Sequence, residues 1–184
     1  VLFVGSFGHP PNVEAARVLV ETIAPEVWRH RPDAVFEIVG ASPPEWLRRL
    51  ADREPDRLLV PGFVDDLAAA FDRAAVFAAP LVSGGGIKIK ILDAMGRGAA
   101  VAGTSIAAEG IDEEARAHLR VDRIDDFAGA IVGLLDDPAR RGQLGSSARE
   151  WISTHLGWPS IVDRLEEIVE SSAARQPGTG RVSP

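Results

Sequence analysis

Six short strand-like runs, at residues 1–4, 34–39, 57–60, 75–79, 99–102 and 119–121, alternate with segments in which apolar residues recur every three or four positions. Short apolar runs bounded by Gly or Pro read as strands buried on both faces. Strands joined through helices must run parallel, because right-handed crossovers permit little else. The expected fold is therefore α/β: a doubly wound parallel six-stranded sheet, Rossmann-like, with helices on both faces. At 184 residues the chain suffices for one such core and is short for two.

Helix signals fill the intervals. Asn12 is placed to cap a helix with Val13, Ala16, Val20, Ile23 and Val27 on one face, ending near Arg31-Pro32. Residues 44–53 and 67–74 read as shorter helices, the first opened by Pro44 and the second by Asp65-Asp66. After Asp122 the pattern is all-helical, over 124–135, 138–155 and 160–171. The last helix carries a stripe of Ile161, Leu165 and Ile168, flanked by Val162 and Val169, that must be buried somewhere. One domain is expected over 1–172, and 173–184, which has no periodicity, reads as a mobile tail.

Composition removes several classes of function. With 20 Lys and Arg against 27 Asp and Glu, the net charge of -7 lacks the basic footprint of a nucleic-acid binder. The absence of cysteine excludes disulfides, thiolate metal sites and cysteine nucleophiles, and agrees with a reducing cytoplasm. His9, His30, His118 and His155 have no metal-ligand spacing, so no metal is expected. No apolar run approaches the roughly 18 residues of a membrane span, and no secretory leader is visible. The chain begins inside a strand-like run without an initiator Met, as a piece of a longer protein would.

The chemistry concentrates in residues 83–98, Ser-Gly-Gly-Gly-Ile-Lys-Ile-Lys-Ile-Leu-Asp-Ala-Met-Gly-Arg-Gly. Gly84, Gly85 and Gly86 strip every Cβ from a turn between a strand and a helix. A diphosphate can then approach unpaired N–H groups and the positive end of the helix dipole. Lys88 adds a mobile charge. Asp93 lies seven residues past Gly86, on nearly the same helical face and roughly 10 Å deeper, within reach of a sugar hydroxyl. Local physics leaves a second reading open, in which the glycines only admit the helix to the sheet and Asp93 pairs with Lys90 or Arg97. Lys88 and Lys90 project about 200° apart around a helix, so at most one can point at a ligand.

Glu109 and His9 fall in loops at the carboxyl edge of the sheet, where open α/β folds bind ligands, although the ordinary reading of each, and the favoured one, is a solvated loop residue. Trp28, Trp46, Trp151 and Trp158 lie in helical segments and suit core or interdomain packing. Gly5 and Gly8 do not complete a Gly-x-Gly-x-x-Gly fingerprint.

Four segments in order, Val-Gly-Ser-Phe-Gly-His-Pro-Pro-Asn at 4–12, Gly-Phe-Val-Asp-Asp-Leu at 62–67, the turn at 83–98 and Gly-Trp at 157–158, span roughly residues 1–170. Together they resemble the C-terminal domain of a retaining GT-B glycosyltransferase, family 4 or group 1. The resemblance implies the C-terminal half of a GT-B fold with a helical C-terminus, binding a nucleotide diphosphate sugar. It also implies an N-terminal domain absent from this chain and a carbohydrate, lipid or small-molecule acceptor. Fixed dipoles and cations replace a metal cofactor in such a site. The diphosphate would lie over Gly86, Ile87 and Lys88, the base against the backbone of Phe63 and Val64, and the ribose at Asp93. Gly5, Gly84, Gly85 and Glu109 complete the implied donor site.

Two departures stand out. The family's paired glutamates become Gly85 and Asp93, and its Arg and Lys after the first strand are missing, which leaves Lys88 or Lys90 to carry the phosphate charge. No catalytic residue is assigned, and the piece alone is expected to be inactive. The resemblance further implies a cytoplasmic enzyme, with peripheral membrane association open for the full-length protein. The family's last segment crosses back to the other domain, so the 160–171 stripe is expected to be partly orphaned and to drive self-association. Alternatives are a degenerate nucleotide-binding or interaction domain, or an epimerase or phosphorylase relative; a dehydrogenase or flavodoxin stands furthest away.

Overall fold

The computed structural model describes residues 1–111 and 113–174, and within them the side chains of all but Val121, Arg164 and 172–174. The strands are β1 (Leu2–Val4), β2 (Phe36–Val39), β3 (Leu58–Gly62), β4 (Phe77–Ala79), β5 (Val101–Gly103) and β6 (Arg120–Val121). They form one six-stranded sheet in the order β3-β2-β1-β4-β5-β6, every pair parallel. The chain winds outward from β1 to β3, returns across it to β4, and winds out the other way. Loops leaving β1 and β4 therefore diverge, and a crevice opens between their carboxyl ends.

The helices are α1 (Pro10–Val18), α2 (Ala24–His30), α3 (Glu45–Arg53), α4 (Leu67–Arg73), α5 (Ile89–Gly96), α6 (Glu113–Arg116), α7 (Phe127–Asp136), α8 (Pro138–His155) and α9 (Trp158–Ala174). The single helix expected over 12–31 is a rod in which a π-helical segment, Leu19–Ile23, joins α1 to α2. Pro25 has no N–H for the carbonyl of Glu21, and its ring crowds that carbonyl; the wider π register relieves both. Asn12 is not the cap. His9 occupies that position and Pro10 and Pro11 fill the first turn, where a missing N–H costs nothing.

Elsewhere the ends follow the local signals. Asp66 and Asp137 cap α4 and α8 by accepting the N–H groups of Ala69 and Arg140 at 3.1 and 2.8 Å. Residues 124–126 form a 3-10 turn ahead of α7 rather than its first turn. α6, four residues long, is too short to leave a periodic trace. α9 runs through Ala174, so residues 173–174, expected as tail, are helical, and the rest of the expected tail lies outside the described residues.

Phe3, Phe36, Phe77 and Phe127 fill the interior with Leu19, Ile23, Ile38, Leu47, Leu58 and Ile91, all under 2% exposed or nearly so. Phe71 stacks on Phe77 with ring centroids 5.4 Å apart, and Trp28 meets Phe36 edge-on while its Nε1 donates to the Ala34 carbonyl at 2.8 Å. Trp151 is buried against His155, and Arg17 covers Trp46. Trp158 departs from this pattern at 80% exposure. Val162, Leu165, Ile168 and Val169 on α9 are 45 to 65% exposed, so the stripe is not buried within the chain. No helix among the described residues is long and apolar enough to cross a membrane.

One close approach sets the position of α5. Gly98, at φ +76°, ends that helix with its N–H on the Met95 carbonyl, and its own carbonyl lies against Gly145 of α8. A Cβ on Gly145 would fall 2.0 Å from that oxygen, whereas a Cβ on Gly142, one turn earlier, meets nothing within 4 Å. Helix propensity alone favours Ala at both positions. Gly142→Ala is expected to stabilise the fold by roughly 0.5 to 1 kcal/mol. Gly145→Ala is expected to destabilise it by roughly 1 to 3 kcal/mol, and urea unfolding of both variants reads the opposite signs.

Candidate functional site

Gly5 closes β1 at the crevice, its N–H donating to the Val39 carbonyl at 2.9 Å. A Cβ there would sit 2.7 Å from Cγ of Asn12, so glycine is what lets Asn12 in. Asn12 is buried, and its Nδ2 donates to the Ser6 carbonyl at 2.8 Å. Its Oδ1 accepts a hydrogen bond from Lys90 Nζ, which also donates to the Val4 carbonyl at 3.1 Å and lies 4.8 Å from the Phe3 ring centre. Lys90 thus reaches from the first turn of α5, on the β4 side, to the end of β1. Burial, with the charge of Lys88 second, lowers its ammonium to about 8.

The glycine turn leads from β4 into α5. Gly84 and Gly86 have φ of +99° and +75°, a region that β-carbons disfavour, and a Cβ on Gly85 or Gly86 would meet open space. Among the described residues, the N–H groups of 84 through 90 have no protein acceptor. α5 begins at Ile89 with Lys88 in the capping position, later than the sequence implied. The N–H groups of Gly86, Ile87 and Lys88 therefore precede the helix, and those of Ile89 and Lys90 belong to its first turn.

The separation of about 200° expected of Lys88 and Lys90 does not apply. Lys88 stands outside the helix, so the two lysines are not held on opposite faces; they are near enough for one charge to act on the other. Lys88 Nζ donates to the Gly86 carbonyl and lies 3.4 Å from Oε2 of Glu109. Glu109 is thus a partner of the turn as well as a solvated loop residue. Ile87 packs against Gly110, where a Cβ would come within 2.7 Å of its Cγ1. On the other flank Ser83 donates its hydroxyl hydrogen to Glu14 of α1, and Gly84 lies against Pro11. The turn is braced from both sides.

Asp93 sits further down α5 and accepts a hydrogen bond from Arg97 Nε at 3.0 Å, while the Arg97 guanidinium covers Phe71 at 5.1 Å. Of its two expected ion-pair partners it takes Arg97, and Lys90 goes to β1. Phe63, 72% exposed, and half-buried Val64 follow Gly62 at the end of β3. Three strand spacings, about 14 Å, separate them from β4. His9 is exposed at the rim, at the start of α1. The fold thus gathers Gly5, Gly84, Gly85, Gly86, Ile87, Lys88 and Glu109 at the carboxyl ends of β1, β4 and β5, with Phe63 and Val64 at the carboxyl end of β3 and Asp93 further along α5. The Asn12–Lys90 tether has no signal in the local sequence except the two prolines before Asn12, which start the helix without it.

The profile described as "Glycosyl transferases group 1" matches residues 1–137. The GDP-mannose-dependent monoacylated alpha-(1-6)-phosphatidylinositol monomannoside mannosyltransferase of Corynebacterium glutamicum is 31% identical over 158 residues, covering 80% of this chain and 42% of the relative. The chain thus spans less than half the length of that relative. Among solved structures, Anabaena HepE in complex with UDP superposes with a TM-score of 0.72 at 15% identity, over 92% of this chain and 48% of that one. The C-terminal domain of the group 1 glycosyl transferase LpcC from Francisella tularensis gives 0.63 at 14% identity, over 85% of this chain and 86% of that one. The two structural matches establish the fold; with the profile over most of its length, the chain belongs to the group 1 glycosyl transferases, as a domain of GT-B architecture.

Proposed function

We propose that this chain is the donor-binding half of a retaining glycosyltransferase that moves a sugar from a nucleotide diphosphate sugar to a carbohydrate, lipid or small-molecule acceptor. The observation that carries the reading is the row of N–H groups at 84–90 with no acceptor among the described residues, together with the side chains of Lys88 and Lys90, at the switch point of the sheet. Donors fixed before the ligand arrives need no reorganisation as charge builds on a departing diphosphate, and they act without a metal. Phe63 and Val64 lie along the crevice at a distance an extended nucleoside diphosphate spans. Asp93 would take the ribose and give up Arg97 to do so.

The open space at Gly85 stands where the family carries a carboxylate, which supports a second reading: a nucleotide-binding domain without transfer. In the transferase reading the acceptor and its activating group belong to the other half of a longer, cytoplasmic protein. The apolar stripe of α9 is assigned to contact with that half.

Titration calorimetry with GDP, UDP and GDP-mannose tests the site; heat with at least one is expected, and none with any of them ends the proposal. Gly86→Ala forces a β-carbon into the left-handed region and is expected to weaken that binding by roughly 1 to 2 kcal/mol. Transfer assays on the full-length protein separate transferase from binding domain. For the stripe, sedimentation velocity of the chain alone is expected to show concentration-dependent association that Leu165→Glu abolishes; a monomer at every concentration would contradict the assignment.

A further inference from the structure

We propose that Lys90 is the diphosphate-binding cation of this site, set in place by Asn12, and that it supplies from α5 the permanent charge that the β1–α1 loop, with only His9, does not. The inference rests on the donor-site reading above and concerns which side chain holds the anion. Between Gly5 and Asn12 the chain has no Lys or Arg. His9 at the rim apart, positive side-chain charge at the crevice comes from the far side of the switch point, and Lys90 is the residue that crosses it, ending on the Val4 carbonyl and on Asn12.

Its lack of a counter-ion is the second argument. Lys88 has Glu109 within ion-pair distance, whereas among the described residues no carboxylate lies within 4.0 Å of Lys90. An ammonium drawn out of water towards neutral oxygens and an aromatic ring is costly unless an anion joins it. Two of its three hydrogens are taken, by Val4 and Asn12, which leaves one hydrogen and the full charge for a ligand. Asn12 is itself fixed by Ser6 and admitted by the missing Cβ of Gly5, so the ammonium has a built seat.

A pH signature follows. Burial depresses the ammonium to about 8 in the free protein. Of the charged groups on the surrounding elements (Lys88 at the α5 cap, Glu109 after β5, Glu14 and His9 at the start of α1) only Lys88 acts on it appreciably, in the same direction. A bound diphosphate opposes both effects and raises the value, so binding takes up a proton. Affinity is then full below pH 8 and falls as pH rises through it, by about tenfold between pH 7 and pH 9.

The test is calorimetric titration of the chain with GDP and with inorganic pyrophosphate, on wild type, Lys90→Gln, Lys90→Arg, Lys88→Gln and Asn12→Ala, each checked for folding by circular dichroism. Lys90→Gln is expected to lose roughly 10- to 100-fold in affinity for both probes, more than Lys88→Gln, whose charge already has a partner. Lys90→Arg keeps a charge that does not titrate in this range and is expected to bind with a flat profile from pH 7 to pH 9. Asn12→Ala is expected to weaken binding several-fold while keeping the wild-type pH slope. Wild-type affinity with Lys90→Gln equal to it, or a pH slope that persists in Lys90→Arg, overturns this assignment and leaves the donor site standing. Absence of binding by wild type to GDP, UDP and pyrophosphate overturns both.

Discussion

Leu2 is paired on both sides, to Glu37 of β2 and to Phe77 of β4, and the site depends on that double pairing. A strand with a parallel neighbour on each side sends its own loop one way and receives the loop after β4 from the other. The two loops cannot cover the same ground, so the ends of β1 and β4 stay open. Most residues of the candidate site are then brought to that opening. Gly5 and Asn12 come from one side, the glycine turn and both lysines from the other, and Glu109 arrives after β5.

The crevice is held open at an energetic cost and held in shape by packing. Glycines at positive φ lose more conformational freedom on folding than other residues would, and seven N–H groups are left without an acceptor among the described residues. Opposing this, Pro11 and Glu14 brace one flank of the turn, Ile87 against Gly110 the other, and the Gly98–Gly145 contact fixes α5 from below. An anion fits the donors that remain: Glu109 pairs with Lys88 and Glu14 accepts from Ser83, while Lys90 and the row of N–H groups have no carboxylate partner among the described residues, in a chain whose net charge is -7.

Much of this was legible because it is local. Strand runs survive in the sequence as apolar blocks, α8 matches its expected span of 138–155 because Asp137-Pro138 and Gly157 mark both ends, and the glycine turn announces itself. The misses are places where two local signals competed. Asn12 has the chemistry of a cap and loses the position to the prolines before it; Pro25 widens a helix whose periodicity is uniform; Lys88, which the spacing places on α5, stands one residue before it.

By itself the sequence determined the alternation of strand and helix, the parallel sheet this forces, and the Cβ-free turn at 84–86, because each depends on periods and backbone permissions that neighbours in the chain decide. Only the tertiary structure decided which charges stand together. Lys90 and Asn12 are 78 residues apart, and Lys88 and Glu109 are 21. Nothing in either local pattern encodes those meetings; the return of the chain across β1 brings about the first and the parallel pairing of β4 with β5 the second.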